Sequence, residues 1–343
     1  MGRAAHGILE QARGEVARAL QADPEEILFV GGGTEACNLA LLGVAGHRPG
    51  AGRHIVSTAL EHPAVSESLN ALGGGGWDLT LVKPDRQHGR VTAEAVVGAL
   101  RADTVLVSVV LVSNETGAVN PVAEISEAIR RSGSSALIHT DAVQALCKLP
   151  CAPRALGVDL LSVSAHKIGG IKGAGALWRA PHVRLTPLLR GGGQEAGLRS
   201  GTEALPAIAA FGAACRARVG TLAGDIEKME ARRAQLLAGL AGLGGPKGIM
   251  VIPPHDAPHI VAFSAPGYPG EALLRFLSDR SVYVSTGSAC HKGRRSKALA
   301  AMGLPPRVLD GALRVSFSPE TTEEDVSALL AALREALGTL AYR

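Results

Sequence analysis

The sequence predicts an α/β fold: a large domain built on a mainly parallel sheet, followed by a smaller α+β C-terminal domain. Three observations carry that expectation. Apolar runs alternate with helix-period segments through the first half, the composition shifts after Gly201, and strands and helices recur in a shorter stretch beyond Gly244.

In chain order, residues 27–30, 54–58, 79–82, 104–112 and 136–139 are short apolar runs suited to buried strands. Between them, 34–44, 92–100 and 122–130 carry helical periodicity, so the repeating unit is strand–helix–strand and its sheet is mainly parallel. Runs 160–164 and 174–178 are joined by a short glycine-rich loop, which permits an antiparallel pair. Residues 205–242, rich in Ala, Arg and Leu, read as one helix bridging two domains, placed at 1–204 and 205–343. Strands at 259–263, 282–285 and 313–317, with helices at 271–280 and 323–340, make the second domain.

Composition narrows the class. Apolar residues make up 46% of the 343 and charged residues 19%, a globular balance rather than a disordered one. A net charge of +4 with scattered Arg and Lys leaves no nucleic-acid footprint, and 3% aromatics leave few stacking platforms for single strands. The longest apolar run, 104–112, is too short to cross a bilayer. Five cysteines in a long chain argue against a disulfide framework and for a reducing compartment, so the expectation is a cytoplasmic enzyme.

Five motifs can carry chemistry. Ser164-Ala165-His166-Lys167 ends a strand beside a glycine-rich turn, where a lysine amine can be partly desolvated and suited to Schiff-base formation; from this motif alone a solvated loop lysine is the stronger reading. Gly31-Gly32-Gly33-Thr34-Glu35 opens a helix after a strand, a place where backbone N–H groups bind phosphate, or simply a tight turn with Thr34 as cap. Asp141, in His139-Thr140-Asp141-Ala142-Val143-Gln144, can pair with a protonated pyridine nitrogen or cap a helix. His62, in Glu61-His62-Pro63, can cover an aromatic ring and move protons, or start a helix. Cys290 closes Ser285-Thr286-Gly287-Ser288-Ala289-Cys290 and leads into a basic loop through Arg294 and Arg295, a setting that favours thiolate. Cys37, Cys147, Cys151 and Cys215 lie in apolar contexts and read as packing. The Cys147–Cys151 spacing lacks a second ligand pair, so no metal site is expected.

Taken together, these motifs resemble the cysteine desulfurases, class-V aminotransferases of the aspartate-aminotransferase-like fold (pyridoxal-phosphate fold type I). The resemblance runs in order from about Gly2 to the C-terminus. It also takes in Ser113-Asn114-Glu115-Thr116-Gly117, Gly191-Gly192-Gly193-Gln194-Glu195 and Arg199-Ser200-Gly201-Thr202. It implies pyridoxal 5′-phosphate as cofactor, bound by Lys167 as a Schiff base. Asp141 would pair with the ring nitrogen, Gln144 with the phenolic oxygen, and His62 with the ring face. Gly33, Thr34, Ser164 and His166 would hold the phosphate, joined by Thr202 from the other subunit of a homodimer. Asn114 and Arg314 would grip the carboxylate of L-cysteine. Lys167 would shuttle the Cα proton, and Cys290 would take the sulfur as a persulfide, leaving alanine. A sulfur-acceptor protein, such as an iron–sulfur scaffold, would receive it.

The family's usual opening, a strand and loop resembling Asp-Asn-x-Ala-Thr-Thr, has no counterpart before Gly2. The missing opening accommodates a truncated, non-catalytic paralogue that acts as a partner, and a selenocysteine lyase, which would share almost every residue named above, is a further reading of the resemblance.

Overall fold

The computed structural model describes residues 2–47, 50, 52–243, 248–254, 256–286 and 295–342. The chain divides into two compact units. The first comprises Met1–Val82, Val91–Val112 and Asn120–Leu222; the second comprises Lys83–Arg90, Ser113–Val119 and Ala223–Arg343.

The first unit is built on a seven-stranded sheet. Its strands are β1 (Ile27–Val30), β2 (His54–Thr58), β3 (Asp78–Val82), β4 (Thr104–Ser108), β5 (Leu137–Asp141), β6 (Leu160–Ser164) and β7 (Gly175–Arg179), in the order β1-β7-β6-β5-β4-β2-β3. From β3 to β6 every pairing is parallel, whereas β7 runs antiparallel to both β6 and β1. β2, β4, β5 and β6 are buried along their whole length, which is why they read as continuous apolar runs rather than as alternating ones. The connecting helices are α1 (Gly2–Leu20), α2 (Gly33–His47), α3 (Pro63–Gly74), α4 (Ala93–Gly98), α5 (Val122–Arg131) and α6 (Pro153–Leu156). The long α7 (Leu205–Ala241), in the segment expected to bridge two domains, contributes its first half to this unit and its second half to the other.

The apolar run 104–112 is only partly strand. After Ser108 the chain continues beside β5 through Val109 N to His139 O (3.0 Å) and Leu111 N to Asp141 O (3.0 Å). The intervening Val110 N is drawn away to the Glu61 carboxylate at 2.8 Å. This run stays buried and ends level with Asp141.

The second unit has a three-stranded antiparallel sheet, in the order β10 (Ala312–Ser316), β9 (Ile260–Ser264) and β8 (Met250–Ile252). Helices α8 (Gly270–Ser278), α9 (Lys297–Ala301), α10 (Pro306–Asp310) and α11 (Glu323–Thr339) accompany it. Its core joins Phe263, Tyr268, Leu273, Leu313, Leu329 and Leu333. The strand expected at 282–285 does not form. Val282 N closes the end of α8 on Leu277 O, Tyr283 is 80% exposed, and Ser285 makes only an isolated bridge to Arg314. Val282 and Val284 still pack against the core of this unit, but only Ser285 meets a strand, and a single bridge makes no ladder.

Candidate active site

Parallel strands deliver their functional groups at their C-terminal ends, where the following loops turn toward the next helix. In the first unit these ends carry Asp141 (β5), Ser164 and Lys167 (β6), and Glu61 and His62 (just past β2). The glycine loop after β1 leads into α2.

Lys167 closes the short 3-10 turn Ala165–Lys167 and is half-buried. Its charge acts on His62, Asp141, His166 and Lys148, so these five groups form one electrostatic cluster. Asp141 is buried, and burial pushes its carboxyl up. Against that act a 2.9 Å hydrogen bond from Val143 N, the charge of His62, the Cys37 thiol and the charge of Lys167. The Val143 bond also makes Asp141 a turn cap, so both sequence readings of this residue hold at once. Cys37 itself is driven well up, by burial first and then by the Asp141 charge.

His62 caps α3: its Nδ1 accepts from Ala64 N at 3.1 Å. An Nδ1 that accepts leaves the ring proton on Nε2. Burial holds His62 below the ordinary imidazole range, opposed by Asp141 and reinforced by Lys167. Here too the helix-start reading and the site reading coexist.

The glycine loop is shaped for close approach. A Cβ on Gly33 would sit 2.6 Å from Val143 Cγ2 and 3.5 Å from Ser164 Cβ. Only a hydrogen side chain lets the first turn of α2 lie against those neighbours, with helix-start N–H groups that have no intrahelical acceptor. Glu35 pins this loop: its Oε2 accepts from Gly31 N at 2.7 Å and its Oε1 from Arg199 Nε at 3.0 Å. Ser164 Oγ lies 2.8 Å from His166 Nδ1. Thr34, His166 and Thr202 are exposed, whereas Ser164 is fully buried.

Three groups that were not singled out in the sequence belong to the same cluster. Glu61 accepts at Oε1 from Thr58 Oγ1 and Val110 N, each at 2.8 Å. Its Oε2 is buried without a hydrogen-bond partner among the described residues. Burial pushes this carboxyl up to about 8 despite those bonds, so it is largely neutral at pH 7. Lys148 donates to Gln144 Oε1 at 3.4 Å, and burial, with the charge of Lys167, lowers its amine to about 7. Cys37 completes the set. The signals for them were faint: Glu61 stands beside His62, and Lys148 stands one helical turn beyond Gln144.

In the second unit, Arg314 Nη1 donates to Asn114 O at 2.7 Å. Arg314 Nε is buried with no partner among the described residues, and burial holds the guanidinium below its ordinary range against the charge of Glu115. The contact with Asn114 is through its backbone carbonyl. Cys290, with the rest of 287–294, lies outside the described residues.

Residues 1–329 match the family described as Aminotransferase class-V. The chain is 40% identical over 328 residues to a Bacillus subtilis protein described as putative cysteine desulfurase IscS 1, covering 95% of this chain and 86% of that protein. The chain belongs to the cysteine desulfurases of aminotransferase class V. Solved structures agree with that family placement. A NifS-like protein superposes with a TM-score of 0.92 at 35% identity, covering 99% of this chain and 90% of its own. DndA from Streptomyces lividans gives 0.78 at 36% identity, covering 92% and 89%. This family depends on pyridoxal phosphate, and the residues present fit that group. A buried acid at a strand end, bonded to the neutral donors Val143 N and Cys37, suits a protonated ring nitrogen. A glycine-rich loop that opens a helix, with Gly33 packed too closely on Val143 for a Cβ, suits a phosphate.

Proposed function

We propose that the protein converts L-cysteine to L-alanine, passing the sulfur to Cys290 as a persulfide and then to an acceptor protein, in a cytoplasmic homodimer. The observation that supports this best is the electrostatic cluster around Lys167, which joins a neutral, Nε2-protonated imidazole and a buried carboxylate to one amine.

Bound pyridoxal phosphate supplies a conjugated electron sink for chemistry at the substrate's α-carbon. Lys167 Nζ would hold its aldehyde and, once released, would carry the Cα proton. Asp141 holds the proton of the ring nitrogen in place, and its burial strengthens that pairing. His62 lies against the ring face. Gln144 faces the phenolic oxygen with the side-chain N–H groups that its bond to Lys148 leaves free. Gly33, Thr34, Ser164 and His166 hold the phosphate, with Thr202 of the second protomer. Arg314, with Asn114, would receive the substrate carboxylate, the anion suited to an Nε that has no partner among the described residues.

Cys290 is tested chemically. Incubating the holoenzyme with cysteine should yield alanine and a persulfide on Cys290, with both lost in Cys290→Ser. Persulfide mapped to another cysteine would overturn the assignment of the sulfur acceptor while leaving the cofactor site standing.

A further inference from the structure

The glycine loop between β1 and α2 is held by two devices, and only one of them is packing. On one side its backbone lies against neighbours that leave no room for side chains. A Cβ on Gly175 of β7 would sit 2.6 Å from Gly32 C, and one on Gly33 would sit 2.6 Å from Val143 Cγ2. On the other side the loop is held by charge. Glu35, the third residue of α2, turns its carboxylate back past the helix start, where Oε2 accepts from Gly31 N at 2.7 Å. That contact is close enough for a Cβ on Gly31 to meet the same oxygen at 2.9 Å. The other carboxylate oxygen, Oε1, accepts from Arg199 Nε at 3.0 Å. The segment carrying Arg199 is itself fixed. Ser200 Oγ donates to Gly192 O at 2.7 Å, Gly201 N donates to Gln194 Oε1 at 3.2 Å, and Phe29 N of β1 donates to Glu195 Oε2 at 2.8 Å.

This arrangement puts a carboxylate at the helix end that also offers its N–H groups to a phosphate. The helix dipole and those N–H groups attract either anion, but two anions at one helix end repel each other. We infer, on the assignment of pyridoxal phosphate proposed above, that Arg199 is a positioning residue for the cofactor's phosphate: it holds Glu35 on Gly31 N and offsets the carboxylate's charge beside the phosphate. Both parts of that role have a physical basis. Three successive glycines bring no side chains that would restrict the loop, so an outside brace orders it before the phosphate arrives and spares binding that cost. Arg suits the second part, because its guanidinium is always charged and presents its donors in a rigid fork. About three-quarters of each side chain is covered, 24% of Arg199 and 26% of Glu35 remaining exposed, so solvent screens the pair only in part. Glu35→Gln separates brace from charge, since an amide keeps an oxygen for Gly31 N while the negative charge is gone.

Full-length wild type and variants, stripped of cofactor, should be titrated by equilibrium dialysis with pyridoxal phosphate and with pyridoxal, which lacks the phosphate. Arg199→Ala should weaken pyridoxal phosphate about tenfold, the low end for a hydrogen bond to a charged group, and leave pyridoxal unchanged. Glu35→Gln should bind pyridoxal phosphate at least as tightly as wild type, and Glu35→Gln/Arg199→Ala should recover most of the loss seen in Arg199→Ala. Unchanged pyridoxal phosphate binding in Arg199→Ala, or an equal loss for both compounds, would overturn this role. So would weaker pyridoxal phosphate binding in Glu35→Gln, or a double variant no better than Arg199→Ala, because either result removes the charge conflict that Arg199 is said to relieve. Wild type that binds pyridoxal phosphate no better than pyridoxal would instead sink the phosphate assignment of the loop, and this role with it.

Discussion

At the scale of single residues, burial sets the electrostatics of this site. Glu61 and His139 show it with opposite signs. The carboxyl of Glu61 is pushed up to about 8, so in the folded state it holds its proton where the unfolded chain has released it. Its contribution to stability is complete below about 4.5 and is lost as pH rises toward 8. His139, buried between Ser108 and Ser162, is lowered to about 3 by desolvation, so its contribution is complete above the ordinary imidazole range and is lost as pH falls toward 3. Between pH 6.5 and 8, then, Glu61 titrates and His139 is silent. Urea unfolding of wild type and Glu61→Gln across that window should show the wild type losing on the order of 1 kcal/mol relative to the variant. Parallel profiles would mean that Glu61 is ionised in the fold. Residues of this kind were only half legible beforehand. His62, Asp141 and Lys167 announce themselves because their neighbours in sequence form recognisable motifs. Cys37 does not, because it reaches Asp141 only through the packing of α2 on the sheet, and nothing in local spacing encodes that.

At the scale of elements, two joints carry the geometry. The glycine loop depends on Gly33 having no Cβ, since one would meet Val143 Cγ2 at 2.6 Å. Gly33→Ala should therefore weaken pyridoxal phosphate binding about five- to 150-fold, in line with about 1–3 kcal/mol for overpacking. Fluorescence titration with the cofactor should show Gly33→Ala/Val143→Ala recovering most of that loss. No recovery would place the fault elsewhere than in this contact.

The second joint ties α1 to β1. Arg13 meets Glu195 through two bonds, Nη1–Oε2 at 2.9 Å and Nη2–Oε1 at 2.7 Å, and Glu195 Oε2 also accepts from Phe29 N at 2.8 Å. Burial works against the Arg13 charge, and the Glu195 carboxylate outweighs it. Glu195 adopts φ 47°, a left-handed conformation that a non-glycine residue holds only when its surroundings require it. Arg13→Ala strands a buried carboxylate and should cost about 3–5 kcal/mol in chemical denaturation. A loss below about 1 kcal/mol would show that the pair is not a joint. The regular elements themselves were legible wherever burial imposed a pattern. β1, β2 and β6 appear with the bounds their apolar runs predict, and the β6–β7 hairpin is antiparallel, as its short loop allows. The failure at 282–285 has a different cause: the run packs on the core through Val282 and Val284, but only Ser285 reaches β10, and one bridge does not extend the sheet.

At the scale of the whole molecule, the composition argued against nucleic-acid and disulfide-framework classes, and the order of motifs pointed to one family. What sequence order could not convey is which subunit supplies Thr202. If it serves the phosphate of the second protomer, mixing Lys167→Ala with Thr202→Glu chains under exchange conditions should restore activity. Each hybrid dimer would then contain one site with both residues intact. Absence of complementation, with hybrids demonstrated by mass spectrometry, would place Thr202 in its own protomer's site. The question on which every role above depends is whether Lys167 holds the cofactor, and absorption spectroscopy answers it directly. Wild-type protein supplied with pyridoxal phosphate should show a visible band that survives desalting and convert cysteine to alanine, while Lys167→Ala shows neither. A band of equal strength in Lys167→Ala, with the cofactor still attached to the protein after borohydride reduction and denaturation, would contradict the assignment.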